Sequence, residues 1–236
     1  MKRSFGLLLG IFGVIIILAG CGAQTTKVTV VLDWTPNTNH TGLFAAVNEG
    51  YFKQEGLEVN IIEPVEGAVE QLVSAGTAQF GVTNQESVTF ARAQGIPVVS
   101  LAAVIQHNTS GFASLKEKNI ESPKDFEGKK YGGWGSPIEE ATLWYLMQQY
   151  DADPDKLQIV TTGTADFFQA SASGEIDYAW IFEGWTGIEA QLKGMELNYI
   201  DLGKVAEVFD YYTPVLITSE KNIKENRSMV EKFMRA

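Results

Sequence analysis

The chain has 236 residues, 45% of them hydrophobic, and its 18 lysines and arginines stand against 29 aspartates and glutamates. The formal net charge of −11 argues against a nucleic-acid-binding protein, because such binding depends on clustered lysine and arginine. The length allows one large or two small domains with a well-packed core. Cys21 is the only cysteine, so the composition excludes a disulfide framework and a cysteine-based metal site. We expect neither a metal nor a cofactor.

The N-terminus is typical of a bacterial lipoprotein. Two basic residues precede an apolar run over residues 5–18, which is too short for a membrane span and fits a secretory signal. The run leads into Leu-Ala-Gly-Cys ending at Cys21, and small residues before a cysteine match the motif in which that cysteine is lipidated. We therefore expect a signal peptide over 1–20, a polar tether over 21–26, and a lipid anchor that holds the protein on the extracytoplasmic face of the cell membrane. The alternative is an ordinary signal peptide with a chance cysteine.

Apolar strands alternate with helical stretches along the chain, a pattern that predicts an α/β fold with a largely parallel sheet. A glycine follows each helix of the first half, at Gly50, Gly76 and Gly95, as expected where the chain leaves a helix in the left-handed conformation. Strands are predicted at residues 27–32, 57–62, 79–82, 97–105, 130–132, 157–161, 178–182, 197–201 and 213–218. Helices are predicted at residues 42–49, 66–75, 85–93, 138–150, 166–173, 184–192 and 222–236.

The alternation is interrupted at residues 116–130, which are charged and poorly periodic. The stretches 72–82 and 170–180 share an order of helix end, glycine, polar residue and aromatic residue, which favours an internal duplication, although many helix–glycine–strand joints look alike. The last helix ends at Ala236 without a C-cap signal, so we expect that the native chain continues. We predict two lobes, formed by residues 27–115 with 206–236 and by residues 116–205.

Polar clusters follow the predicted strands, where ligands bind in α/β folds. Helix caps explain one Ser, Thr, Asn or Asp at each joint, but they do not explain an aromatic residue at four of the seven strand ends. Aromatic residues with a few polar groups are typical of a small-molecule site. The predicted ligand-binding residues are Asp33, Trp34, Asn37, Asn39, His40, Asn84, Glu86, His107, Ser110, Trp134, Gly135, Ser136, Asp166, Glu183, Trp185 and Tyr212.

The five tryptophans divide between cleft and core. Trp34, Trp134 and Trp185 follow strand ends and are predicted to face the cleft. Trp144 lies on an apolar helix face and Trp180 in the middle of a strand, so both are predicted to lie in the core.

Some candidates have an equally simple structural explanation. Asp33 and Asn39 are suitable cap or turn residues, and Glu183 begins a predicted helix whose dipole favours a carboxylate there. Adjacent residues of an extended segment face opposite sides. Only one of Tyr211 and Tyr212 therefore faces the cleft, and we place Tyr212 there.

Three stretches carry a resemblance to a known family: LDWTPNTNHTGLFAAVNEGYFKQEGL at 32–57, GIPV at 95–98 and EGKKYGGWGSP at 127–137. They resemble the thiamine pyrimidine precursor family, which contains fungal synthases of the thiamine pyrimidine and bacterial lipoproteins that supply ABC transporters with its precursors. The resemblance extends over residues 27–235. It implies a two-lobed type II periplasmic-binding fold with a ligand cleft between the lobes.

The chain departs from the synthase branch of that family. The synthases carry a lysine that binds pyridoxal phosphate and a histidine further along the same helix, at positions where this chain has Thr83 and Ser87. Their cysteine-rich iron segment falls near residues 209–213, which contain no cysteine. Because a Schiff base requires an amine, the resemblance implies a transport protein and not an enzyme. The chain also lacks the phosphate-loop, zinc-protease and nucleophile-elbow motifs.

The implied cargo is an aminopyrimidine, either N-formyl-4-amino-5-aminomethyl-2-methylpyrimidine or hydroxymethylpyrimidine, which the protein would pass to an ABC transporter permease for thiamine salvage. Binding proteins for riboflavin or a sulfonate are alternatives, as are a surface receptor without transport and a pyrimidine-synthase-like enzyme. A sulfonate site needs arginine or clustered backbone N–H groups, and no arginine lies near the candidate strand ends. Riboflavin requires a wider cleft.

Overall fold

The computed structural model describes residues 25–63, 69–163 and 165–236, and within them the chain forms two five-stranded sheets. The strands are β1 (Thr26–Val31), β2 (Leu57–Ile62), β3 (Phe80–Thr83), β4 (Val98–Ala103), β5 (Ser110–Leu115), β6 (Lys130–Gly133), β7 (Gln158–Thr161), β8 (Tyr178–Phe182), β9 (Leu197–Asp201) and β10 (Val215–Ser219). The first sheet has the order β2-β1-β3-β10-β4 and the second the order β7-β6-β8-β5-β9. The chain therefore crosses to the second sheet after β4 and returns to the first before β10.

Each sheet combines four strands that run one way with a fifth that runs the other way. In the first sheet, β1 is parallel to β2 and β3, whereas β10 is antiparallel to β3 and β4. In the second, β6 is parallel to β7 and β8, whereas β5 is antiparallel to β8 and β9. The largely parallel arrangement that the sequence predicts is confirmed. The antiparallel strand enters from the other sheet, without the helical crossover that parallel neighbours need.

Helices connect and cover the strands. Gly50 and Gly95 have φ angles of 76° and 79°, so the predicted left-handed glycines after the helices are confirmed. Within the described ranges, no helix has the length and apolar character that a membrane crossing requires. The helices are α1 (Thr41–Asn48), α2 (Tyr51–Gln54), α3 (Val69–Ser74), α4 (Gln85–Ala93), α5 (Pro137–Gln149), α6 (Phe167–Ala172), α7 (Ile188–Leu192), α8 (Leu202–Val205), α9 (Glu220–Glu225) and α10 (Arg227–Arg235).

The sequence pattern does not reveal β5, whose SGFASL sequence lacks an alternation of polar and apolar residues. The strand lies between β8 and β9 and is buried along its whole length. The chain thus crosses to the second sheet at residues 104–109, so the lobe boundary predicted at 115 is wrong and β5 belongs to the second lobe. The return crossing at residues 206–214 leads into β10.

The N-terminal predictions are only partly covered by the described residues. Strand β1 begins at Thr26 and pairs with β2 from that residue on, so the tether predicted over 21–26 is wrong at its last residue. The predicted signal peptide and Cys21 lie outside the described residues. So does the start of the helix predicted at 66–75, which is described from Val69.

Each sheet has its own hydrophobic core, as expected of layered α/β units. In the first sheet, neighbouring side chains face opposite sides, so that Val30 belongs to the cluster with Phe80 and Phe233 while Val31 packs with Ile217. Among the described residues, no hydrophobic cluster combines buried residues of both sheets, which indicates two lobes. The core of the second sheet consists of Phe112, Ile120, Phe126, Tyr131, Leu143, Leu146, Met147, Ala152, Tyr178, Ile200 and Leu202.

The two tryptophans predicted for the core differ in burial. Trp144 on α5 is 40% exposed, so its predicted position is wrong. The buried face of α5 is taken by Leu143 and Met147 instead. Trp180 on β8 is half-buried, and its ring centroid lies 5.3 Å from that of Phe112 at the edge of the second core.

Candidate functional site

Loops from the two lobes meet across a cleft. The hydroxyl of Thr38, after β1, donates a hydrogen bond to the carbonyl of Gly184, after β8, at 3.3 Å. A cavity of about 250 Å³ lies between α4 of the first lobe and the start of α5 in the second, where Glu86, Phe90 and Ser136 line it. The loops at the strand ends of the two lobes are thus neighbours in space.

A buried histidine organises the turn that follows β1. His40 is fully buried, its Nδ1 accepts a hydrogen bond from the Asn37 N–H at 3.2 Å, and its Nε2 lies 2.7 Å from Asp33 Oδ1. Because Nδ1 accepts, a neutral imidazole carries its proton on Nε2 and donates it to Asp33. The Asn37 side chain caps the turn by accepting from the Asn39 N–H at 3.0 Å. His40 therefore orients Asp33 and has no surface open to a ligand.

Asp33 and Trp34 keep part of their surface accessible. The Asp33 side chain is 25% exposed, and within the described part of the chain its hydrogen bond is made through Oδ1. Trp34 and Asn39 are half-buried. The turn after β1 thus contains an acceptor oxygen and an indole that both keep accessible surface.

The N-terminus of α4 contributes a partly buried carboxylate. Asn84 caps the helix, and its Oδ1 accepts from the Ser87 N–H at 2.8 Å. Burial raises the pKa of the Glu86 carboxyl group. Glu86 Oε2 is buried and has no hydrogen-bond partner among the described residues. A buried acceptor of this kind is suited to an N–H group of a ligand.

Tyr211, and not Tyr212, faces Glu86. Burial, and after it the charge of Glu86, raise the pKa of the Tyr211 phenol, so the phenol stays protonated beside that carboxyl group. Tyr212 is 46% exposed. Alternation along the chain shows that the two residues face opposite ways, but only the packing shows which way each faces. We therefore place Tyr211 in the candidate site instead of Tyr212.

The turn between β6 and α5 is closed by Glu139, which is not among the site residues predicted from the sequence. Glu139 Oε2 accepts from the N–H groups of Gly135 and Ser136, each at 2.8 Å. Glu139 Oε1 accepts from the Trp134 N–H at 3.1 Å and from the Tyr131 hydroxyl at 2.6 Å. Glu139 is 2% exposed. The spacing of Ser136 and Glu139, which is that of a capping box, is the signal that identifies it in the sequence.

The segment after β8 is a π-helix at Glu183–Gly187, where the sequence predicts an ordinary helix. Single π-helical turns are frequent at functional sites. Glu183 is exposed and Trp185 is half-buried. Trp134, from the neighbouring strand end, is 37% exposed, and its ring meets that of Trp180 edge-on at 5.6 Å. The second lobe thus presents two accessible indoles and a carboxylate at its strand ends.

Three predicted site residues have contacts that serve the fold. The His107 side chain is 78% exposed, and its Nδ1 lies 3.0 Å from Asp210 Oδ2, which joins the two crossing segments. Ser110 is buried and donates to Asn108 Oδ1 at 2.6 Å. Asp166 is exposed and caps α6. We leave these three residues out of the candidate site.

The chain matches a known protein family. The model of the family described as NMT1/THI5 like matches residues 37–236. The chain belongs to this family. Among its relatives, the formylaminopyrimidine-binding protein of Halalkalibacterium halodurans is 29% identical over 94% of this chain and 69% of that protein. A 4-amino-5-hydroxymethyl-2-methylpyrimidine phosphate synthase of Saccharomyces cerevisiae is 26% identical over 90% of this chain and 65% of the synthase. The chain spans about two thirds of the length of these relatives.

Solved structures share the fold of this NMT1/THI5-like chain. A protein from Bordetella bronchiseptica superposes with a TM-score of 0.70 at 19% identity, covering 89% of this chain and 69% of that one. The aliphatic sulphonate binding protein SsuA from Escherichia coli gives a TM-score of 0.68 at 15% identity, covering 89% of this chain and 70% of that one. At these identities the likeness concerns the fold alone. The predicted two-lobed periplasmic-binding fold is confirmed.

The NMT1/THI5-like family includes synthases, so the residue at position 83 is informative. Thr83, which stands where the resemblance to the synthases implies a lysine, is buried at the end of β3. Its hydroxyl donates to Glu70 Oε1, also buried. Ser87 stands at the position where the resemblance to the synthases implies a histidine, and its N–H donates to the Oδ1 of Asn84, which caps α4. This position therefore offers a threonine–glutamate pair and no amine nucleophile.

Proposed function

We propose that the chain is the substrate-binding component of an ABC importer and that it captures an aminopyrimidine precursor of thiamine. The proposal is supported by the periplasmic-binding fold, by the NMT1/THI5-like family and by a relative named for formylaminopyrimidine binding. One observation carries it. The buried His40 holds the Asp33 carboxylate in place, and Trp34, the next residue, is only half-buried, so this turn can offer a ligand both a strong acceptor and an apolar ring.

An aminopyrimidine has the chemistry that these groups bind. Its flat ring stacks on the indole of Trp34, which is worth roughly 0.5–1.5 kcal/mol beyond the burial of area. Its exocyclic amine donates to Asp33, and a hydrogen bond to a charged group is worth about 1.5–3 kcal/mol. Glu86 Oε2, which has no hydrogen-bond partner in the described part of the chain, supplies a second acceptor. The groups thus favour a planar ligand that carries N–H donors.

The same proposal covers the partner and the location. A lipid on Cys21 would hold the protein at the extracytoplasmic face of the cell membrane, from where it passes its ligand to a membrane permease. Synthase chemistry through a Schiff base has no support, because the buried Thr83 cannot supply the amine that a Schiff base requires. The protein therefore binds and releases its ligand unchanged.

Mass spectrometry of the small molecules that copurify with the protein is the direct test. We expect N-formyl-4-amino-5-aminomethyl-2-methylpyrimidine or hydroxymethylpyrimidine, and calorimetry with the same compound should show a single binding site. Conversion of the compound to a product would contradict the binding role. Retention of riboflavin or a sulfonate, together with no response to either pyrimidine, would contradict the proposed cargo.

A further inference from the structure

We infer that Glu139 closes the cleft of this protein to phosphate and sulfonate groups, so that the site takes an unphosphorylated pyrimidine and rejects its phosphate ester. The choice of a pyrimidine rests on the proposed function. The exclusion of an anion rests on the contacts of Glu139 alone, and it is testable without a pyrimidine.

The turn before α5 is built to receive a negative group. The backbone N–H groups of Trp134, Gly135 and Ser136 converge on one carboxylate, directly ahead of a 13-residue helix. Consecutive N–H groups at a helix N-terminus form an anion-binding concavity, and the helix dipole adds to it. Phosphates and sulfonates are recognised by donors of this kind.

The side chain of Glu139 already occupies this anion-binding position. Both carboxylate oxygens of Glu139 accept hydrogen bonds from the four groups around them. Three of these groups are backbone N–H groups, which can only donate. Burial, and next the charge of Glu139, raise the pKa of the Tyr131 phenol, so the fourth donor stays protonated. With Glu139 only 2% exposed, an external anion reaches these donors only by displacing a charged side chain that already satisfies them.

The glycines of the Gly-Gly-Trp-Gly motif make room for this side chain. A Cβ atom on Gly133 would lie 2.6 Å from Glu139 Oε1, closer than two such atoms approach. Gly135 has a φ of 91°, a conformation that glycine adopts at little cost and other residues rarely adopt. The motif lacks the spacing of a phosphate loop, and its glycines serve an internal carboxylate.

The rest of the cleft is also unsuited to an anion. Asp33, Glu86 and Glu183 lie at the strand ends on both sides, and like charges repel a phosphate or sulfonate. The same fold is found in sulphonate-binding proteins, and the family includes synthases named for a pyrimidine phosphate. Neither the fold nor the family excludes an anionic ligand. The discrimination between a neutral pyrimidine and an anionic ligand in this chain therefore depends on individual residues. The geometry makes Glu139 a specificity-determining residue.

Titration calorimetry on three proteins tests the inference. The probes are inorganic phosphate, hydroxymethylpyrimidine and hydroxymethylpyrimidine phosphate, and the proteins are wild type, Glu139→Ala and Glu140→Ala. Glu140 is exposed and lies in the same first turn of α5. Its substitution removes an equal charge but leaves the carboxylate of Glu139 bound to the backbone N–H groups of the turn. We expect wild type to bind the alcohol at least about tenfold more tightly than the phosphate ester. Glu139→Ala should gain at least about tenfold in affinity for inorganic phosphate, and Glu140→Ala should match wild type.

Three outcomes would overturn the inference. One is equal affinity of the wild-type protein for the alcohol and its phosphate ester, which requires no variant. Another is a Glu139→Ala protein that is folded by circular dichroism and gains no phosphate affinity, and the third is an equal gain in Glu140→Ala. Glu139→Ser, which leaves a hydroxyl for one N–H group, replaces the alanine variant if that variant does not fold. Failure of wild type to bind either pyrimidine would count against the proposed function, while the inorganic phosphate comparison would still decide the role of Glu139.

Discussion

His40 Nε2 lies 2.7 Å from Asp33 Oδ1, and the imidazole that makes this contact is fully buried. The other ring nitrogen accepts from the Asn37 N–H, so the backbone of the same turn sets the tautomer that donates to Asp33. The carboxylate proposed to bind the ligand is therefore held by a residue that the ligand does not touch.

We expect His40→Ala to weaken pyrimidine binding by about tenfold, because Asp33 loses a hydrogen bond worth about 1.5–3 kcal/mol that fixes its orientation. His40→Gln, which retains a donor, should recover part of the loss. Calorimetry measures the affinity, and melting by circular dichroism checks the fold. His107→Ala is the matched control, since His107 is exposed on a crossing segment. Folded His40→Ala protein with unchanged affinity would show that the turn positions Asp33 without the imidazole.

Asp33→Asn and Trp34→Ala should each weaken binding of a formylated or hydroxymethyl aminopyrimidine at least about tenfold, which corresponds to about 1.4 kcal/mol. The first change removes the charge that accepts from the exocyclic amine, and the second removes the stacking surface. Asp155→Asn, at an exposed position of the second lobe, controls for the lost charge. If both variants fold and bind like wild type, the cluster after β1 is structural.

Glu86 should make the stability of the protein depend on pH. Burial raises the pKa of this carboxyl in the folded state, so the folded protein holds the proton more tightly than the unfolded chain does. By linkage, the stability from this group is present below the pKa of the unfolded glutamate and is lost as the pH rises through the raised folded pKa. We expect Glu86→Gln to raise Tm by about 1–3 °C at neutral pH and to leave it unchanged below about pH 4. The same Tm difference at both pH values would refute this account.

Cys21→Ser should release the protein from the membrane fraction, or leave it unprocessed, without changing its affinity for the ligand. The expectation follows from the Leu-Ala-Gly-Cys motif ending at Cys21, because the lipid would be attached to that sulfur while the described fold starts at β1. Cell fractionation and the mass of the mature N-terminus measure the outcome. Processed Cys21→Ser protein that stays in the membrane fraction would rule out the lipid anchor.

Most elements were predictable because their signals are local. Helix α4 at Gln85–Ala93 and strand β8 at Tyr178–Phe182 have the predicted bounds, since caps and apolar periodicity act over a few residues. Strand β5 was not predictable from its own residues. Its SGFASL sequence becomes a buried strand because β8 and β9 flank it, and those partners come more than sixty residues later in the chain.

Residue type and local spacing were enough to reveal the α/β alternation, the polar and aromatic clusters at the strand ends, and the threonine in place of an amine at position 83. The burial of His40 behind Asp33 and the orientation of Tyr211 toward Glu86 became evident from the folded protein. The physical reason is that burial and orientation depend on which elements pack against a side chain. Residue types and spacing do not identify the elements that will pack against a given side chain.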